Sequence, residues 1–295
     1  MSTRPLALWG WLAIAVLALG AAPLVKKLAL DAGAGPSTVA LSTAIIAAGV
    51  VFAWLLLRGQ GGELRQLSRG EWLAILLVGA MGSGLVPLFG ILALTETTAS
   101  NRALFQSAYP VATALAARWL LAERLSLAAY GWIVLVCTGL VLMNVDPGRG
   151  NGISLTGWPF WLLLATLPLI GLSDVIAKRS LKQATPEVVA AGRTLGGLLI
   201  LLVLLPRVLP GLAELSLLAG LWIVLSGISM GLFAVSLYQV FQRAFAAIAA
   251  SLIALAPLLT LLAETTFLGL RLEALQWLGF VVVLVSVVGL ARRAG

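Results

Sequence analysis

Residues 94–125 read LTETTASNRALFQSAYPVATALAARWLLAERL, and residues 241–272 read FQRAFAAIAASLIALAPLLTLLAETTFLGLRL. Laid over one another, they pair Pro110 with Pro257, Leu115-Ala116 with Leu262-Ala263, Leu121 with Leu268 and Arg124-Leu125 with Arg271-Leu272. Upstream, Gly84-Leu85 pairs with Gly231-Leu232. Each pair stands 147 residues apart (257 − 110, 271 − 124, 231 − 84), with no gap. A fixed internal offset marks a duplicated structural unit. In transporters such units often meet at a substrate site near the bilayer midplane.

The chain is 61% hydrophobic and 10% charged over 295 residues, with mean hydropathy +1.08. A soluble domain of this length has no interior large enough for so much apolar side chain, which points to a polytopic membrane protein in contact with the lipid bilayer. The net charge of +8 sits mostly in short loops between apolar runs, where it sets topology and implies no nucleic-acid partner. Cys137 is the single cysteine, so an intramolecular disulfide is impossible. The chain has no histidine, which removes a His-based proton relay and most zinc chemistry. It has no GxxxxGK[ST] loop, no metal-ligand cluster and no long soluble segment. An enzyme is therefore not expected, nor a cofactor or metal.

About 20 apolar residues cross the hydrocarbon core. That window gives ten candidate spans: 8–30, 37–57, 72–94, 102–121, 127–145, 158–178, 188–206, 216–238, 245–267 and 274–291. The expected fold is all-α, ten transmembrane helices arranged as two inverted five-helix repeats. The Gly- and Pro-rich stretch after residue 146 divides the chain into a repeat over 1–146, a linker over 147–157 and a repeat over 158–295. Loop signals at Arg58-Gly-Gln-Gly-Gly62 and from Pro206 to Glu214 punctuate the spans. An odd number of spans per half turns the second half upside down relative to the first. Counting basic residues with the N-terminus inside puts twelve on the cytoplasmic side and six outside, Lys26, Lys27 and Arg102 among the latter, with Arg193 inside a span. Both termini are thus expected in the cytoplasm of a multi-pass inner-membrane protein. Arg4, the apolar run from Leu6 and Gly20-Ala21-Ala22 imitate a cleaved signal peptide, but the apolar pattern continues past them and reads as a retained first helix. Trp9, Trp11, Trp54, Trp72, Trp158 and Trp277 fall near span ends, as an interfacial belt requires.

Four polar positions mark the fourth span. Arg102, Gln106, Tyr109 and Thr113 step by four, three and four, which puts them on one helical face. Such a stripe is costly toward lipid and reads either as a substrate-lining wall or as interhelical hydrogen bonding that fixes packing. Their partners at the repeat offset include the apolar Ala249, Ile253 and Ala256, so the polar wall breaks the symmetry of the scaffold. In the eighth span Tyr238 and Gln239 are cavity candidates, while Gln242 and Arg243 near its end fit snorkelling. Glu264, one turn beyond Thr260, is a candidate for proton coupling or a hydrated interfacial acid. Asp174 and Lys178 stand four apart and can neutralise one another. Gly227-Ile-Ser-Met-Gly231 is a GxxxG whose repeat mate is Ala80-Met-Gly-Ser-Gly84, a pattern that lets helix backbones approach closely. Pro110 and Pro257 fit gating hinges or static bends equally.

The stretch ending in Glu123-Arg124-Leu125 resembles the signature of the EamA-type branch of the drug/metabolite transporter superfamily: a small-residue turn, a proline-bearing helix and a Glu-Arg-Leu ending. The second copy departs from it, with Leu270-Arg271-Leu272. The run through Lys26-Lys27-Leu-Ala-Leu30 is similar to that family's first helix, and Leu24-Val-Lys-Lys27 pairs, with a small gap, with Ile176-Ala-Lys-Arg179, each followed by a proline, Pro36 or Pro186. The resemblance covers essentially the whole chain. It implies ten helices, a cavity between the repeats and export of small metabolites by alternating access.

The expected function is a secondary transporter exporting amino acids or related small molecules, with protons as a candidate coupling ion, acting as a monomer or homodimer. Its cavity would be lined by the third, fourth, eighth and ninth spans with parts of the first and sixth. The alternative is a non-transporting accessory or lipid-handling membrane protein, for which a tightly packed centre would speak.

Overall fold

The computed structural model describes residues 5–97, 108–121, 126–144, 157–243, 255–267 and 273–293, with the single positions 102, 105, 249 and 253 between them. Among the described residues the fold is all helical, and no strand occurs. In chain order the helices are α1 (Pro5–Asp31), α2 (Pro36–Leu57), α3 (Arg69–Gly79), α4 (Val86–Leu94), α5 (Tyr109–Leu120), α6 (Leu127–Asn144), α7 (Trp158–Ser180), α8 (Pro186–Leu201), α9 (Leu205–Ala213), α10 (Leu217–Arg243), α11 (Ala256–Phe267) and α12 (Ala274–Arg293). A π-helical segment, Ala80–Leu85, joins α3 to α4 in one span. Six stretches are long and apolar enough to cross a membrane: Leu8–Asp31, Pro36–Leu57, Arg69–Leu94, Trp158–Ser180, Pro186–Ala213 and Leu217–Arg243. The remaining described helices overlap the other expected spans.

Helix ends follow local chemistry. Ser68 caps α3 through a reciprocal capping box, its Oγ accepting from Glu71 N–H while the Glu71 carboxylate accepts from the Ser68 N–H at 2.6 Å. Prolines open α2, α7 and α8, where the missing N–H would be an orphan in any case. The same effect corrects one expectation. Pro206 to Glu214 reads as a loop, yet α9 runs over most of it, because Pro206 occupies the first turn of a new helix. Within the third span Pro87 lacks an N–H and its ring crowds the carbonyl four residues back. The helix widens just before it, with the Val86 N–H reaching the Met81 carbonyl five residues earlier.

Among the described residues, large apolar side chains are exposed along most of the helices. Leu17, Leu57, Leu77, Trp161, Val203 and Val285 are all more than half exposed. In water these would be a liability; against lipid they are solvated, which is why the helices are apolar all round. Hydroxyls in the spans satisfy themselves locally, as with Thr194 to the Ala190 carbonyl at 2.7 Å and Ser286 to Val282 at 2.6 Å.

Packing exchanges between the halves in matched pairs. α1 packs on α10 and α11, while its repeat mate α7 packs on α3, α4 and α5. α2 packs on α10, and its mate α8 packs on α3 and the π segment; α6 packs on α12. The small-residue motifs sit at these crossings. A Cβ at Gly227 or Gly231 would strike Ile46 or Val50 of α2. A Cβ at Gly79 or Gly84 would strike α8, and reciprocal glycines on α8, Gly196 and Gly197, would strike Leu76 and Ser83. Two backbones meet face to face there.

That contact makes a prediction. Gly196→Ala forces the α3 backbone away and should cost about 1–3 kcal/mol, visible as a lower thermal midpoint of the detergent-solubilised protein. Gly49→Ala, where a Cβ meets nothing within 4 Å, should leave the midpoint nearly unchanged.

Candidate functional site

A cavity lies where the two halves cross. It is walled by α1 (Leu19, Ala22, Pro23, Lys26), α2 (Ala40 to Ala47), the π segment and α4 (Gly82 to Ile91), α8 (Arg193, Thr194, Leu201) and α10 (Met230, Phe233, Ala234), with Ile170, Tyr109 and Arg102. The expected lining is met by the first, third, fourth, sixth and eighth spans. It differs in two respects: the second and seventh spans contribute broadly, and no described residue of the ninth span takes part. α2 and α8 carry the central crossing, so they cannot be peripheral.

Residue order along the helices layers the molecule. Below the cavity, Leu12 and Ala15 of α1, Val51 and Leu55 of α2, Val188 to Ala191 of α8 and Leu237 and Phe241 of α10 form a large apolar core with Ile75 and Val78. Ala249 and Ile253, the repeat mates of Arg102 and Gln106, are buried in that core. Beyond it lies a polar recess holding Trp11, Arg58, Gln60, Thr185, Glu187 and Arg243. Above the cavity a smaller apolar cluster gathers Ala29, Val39, Leu41, Leu201 and Val208.

One arginine organises the cavity floor. Arg193 on α8 donates through Nε to Ser83 Oγ at 3.0 Å and through Nη1 to the Tyr238 hydroxyl at 2.7 Å, and lies 3.8 Å from Asp174 Oδ1. Its guanidinium also stands over the Tyr238 ring, 5.6 Å from the centroid. Gly82 leaves the space it occupies, since a Cβ there would collide with Nη2 and with Ser173 Oγ. Asp174, fully buried, further accepts from Thr113 Oγ1 at 3.4 Å and interacts with the Tyr109 hydroxyl. Ser173 donates to the Val78 carbonyl at 3.1 Å, next to the π segment. One network thus ties five spans together through a single cation and a single acid.

The sequence-derived candidates divide. Arg102 and Tyr109 line the cavity. Thr113 and Tyr238 lie just behind the lining, on Asp174 and Arg193. Gln239 lies instead at the polar recess, donating through Nε2 to Glu187 Oε1 at 2.7 Å and accepting from Arg243 at 2.5 Å. Gln106 lies outside the described residues; Glu264 belongs to α11, and its side chain lies outside them too. Asp174 meets Arg193 across helices rather than Lys178 one turn on, and the Lys178 ammonium donates the other way, to the Phe241 carbonyl.

Sequence reasoning missed Arg193, Ser83 and Lys26 as site residues. Arg193 did carry a signal, a lone cation inside an apolar span flanked by Gly192, Gly196 and Gly197. Lys26 counts with Lys27 among the external basic residues at the end of the first expected span, yet it is 1% exposed inside α1. Its neighbour Lys27 is the one that reaches out, pairing with Asp31 at 3.3 Å.

Breaking the central pair leaves one charge buried alone, which costs about 3–5 kcal/mol where partners are removed singly. Asp174→Asn and Arg193→Met should each lower the thermal midpoint. The double variant should lose less than the two single losses added, as a double-mutant cycle in detergent would read.

A protein-family model described as the EamA-like transporter family matches residues 8–145 and again 156–292. No curated protein matches the chain. A solved structure titled "Crystal structure of protein" shares the fold, with a TM-score of 0.71 and 18% sequence identity over 99% of this chain and 98% of that one. The double match, the apolar helices and the crossing of the two halves agree, and this multi-pass membrane protein belongs to the EamA-like transporter family.

Proposed function

We propose that the protein is a secondary transporter that exports amino acids or related small metabolites across the inner membrane by alternating access. The observation that carries this reading is the central cavity, walled by helices from both halves and closed on one side by the large apolar core. With both termini cytoplasmic, as the basic residues suggest, the thick core faces the cytoplasm and the smaller cluster faces outward. The layering has the form that inverted repeats produce. Arg102 marks the cavity wall, while its mate Ala249 is buried in the core. Exchange of the two conformations between the repeats would open the core and close the cavity mouth. Arg102, Gln106, Tyr109 and Thr113 of the fourth span, with Tyr238 and Gln239 of the eighth, are the proposed substrate-binding set, and Glu264 the proposed coupling acid.

The measurement is flux of labelled amino acids or related metabolites in proteoliposomes containing the full chain. Ala44→Trp, which fills the cavity from α2, should cut transport at least about tenfold, the equivalent of about 1.4 kcal/mol, while the protein still elutes as a single species. Flux surviving that plug would overturn the cavity as the pathway. For coupling, Glu264→Gln should flatten the pH dependence of flux; an unchanged pH profile removes Glu264 from the mechanism.

A further inference from the structure

Among the described residues, nothing neutralises two cations on the cavity wall. Lys26 is 1% and Arg102 4% exposed, and both line the cavity. They reach the same cavity from different spans, Lys26 from α1 and Arg102 from the fourth. Arg102 sits over Gly90, whose missing side chain makes room for the guanidinium, and its Nη1 has no hydrogen-bond partner. Among the described residues no acid pairs with either. Asp31 is taken by Lys27, Asp174 by Arg193 and Thr113, and Glu96 lies in the exposed turn after α4. Burying one charge without a partner is expensive, and burying two like charges in one cavity more so. Structural cations elsewhere in this molecule avoid that cost, as Arg193 does with an acid, a serine and a tyrosine.

We propose that Lys26 and Arg102 form an anion-binding subsite that takes the carboxylate of a small organic acid. Resting on the transporter reading, this subsite also narrows the substrate class. A carboxylate would accept from the Arg102 fork and the Lys26 ammonium together. The remaining wall, Leu19, Ala44, Ile91, Ile170 and Phe233, is apolar and suits a short hydrocarbon body. Among the described residues of that wall there is no carboxylate to receive an ammonium, since Asp174 lies behind Tyr109 and faces Arg193. Within the amino acids and related metabolites of that reading, the best fit is a carboxylic acid whose amine is absent or masked.

The test compares four probes of one shape on the purified full chain in lipid nanodiscs: 4-methylpentanoate, leucine, 4-methylpentylamine and 4-methylpentan-1-ol. Thermal stabilisation and calorimetry should show the acid binding at least about tenfold more tightly than the amine or the alcohol. Lys26→Gln and Arg102→Gln should each weaken the acid about tenfold or more. Neither should lower the ligand-free thermal midpoint, because neither cation is paired with an acid among the described residues; a merely structural role predicts the opposite. Amine or alcohol binding as tight as the acid would overturn the subsite. So would absence of acid binding, or acid affinity unchanged in the double variant. Flux separates this from the parent reading. Acid binding that depends on both cations, with no flux of any probe, leaves the subsite standing and sinks the transporter. Flux of leucine or the amine that ignores both substitutions does the reverse.

Discussion

A guanidinium at membrane depth needs donors satisfied and charge balanced by protein, because the surrounding hydrocarbon offers neither. Arg193 meets that requirement only because backbones around it come unusually close. Gly196 and Gly197 let α8 lie against the third span, Gly82 leaves a socket for the side chain, and the π turn brings Ser83 to its Nε. Asp174 and Tyr238 then arrive from α7 and α10. Enlarge any of those glycines and the helices part, the arginine loses its shell and the cavity floor dissolves with it. Close approach comes first, and charge burial follows from it.

The same crossing explains why a symmetric scaffold carries a one-sided site. Thr113 and Thr260, 147 residues apart (260 − 113), both bond across to the other half's first helix, to Asp174 in one case and to the Gly20 carbonyl at 2.6 Å in the other. The geometry is kept while the chemistry changes from an acid to a backbone oxygen. Tyr109 and its mate Ala256 are both buried, but Tyr109 lines the cavity and Ala256 does not. The duplication supplies a frame of matched contacts, and substitution on one side of the frame supplies the polar groups.

Much of the frame was legible in the sequence. Apolar windows locate the helices because lipid imposes a minimum length, and the fixed offset reveals which helices must be equivalent. Tyr109 and Thr113 were readable from their three- and four-residue spacing, since one helical face is a local property. Asp174 was readable as an acid inside a span that needs neutralising, but its partner was not: spacing within one helix shows Lys178, and only tertiary packing shows Arg193. Lys26 was hidden by its neighbours, because two adjacent lysines at the end of a span look like an external basic pair whether or not one of them turns inward. Pro206 misled for a related reason, as a proline that stops one helix also starts another.

The π turn at Ala80–Leu85 bears on the repeat itself. Its counterpart in the second copy lies within α10, which is unbroken from Leu217 to Arg243. The alignment there has no insertion, yet one copy winds with five-residue hydrogen-bond spacing where the other keeps four. Residue count and angular phase have come apart. A wider turn adds fewer degrees and less rise per residue, so the rest of that span, Gly90 and Ile91 included, leaves the phase an unbroken α-helix would give it. A duplicated gene can thus lose its twofold likeness without gaining or losing a codon, by changing how one turn is wound.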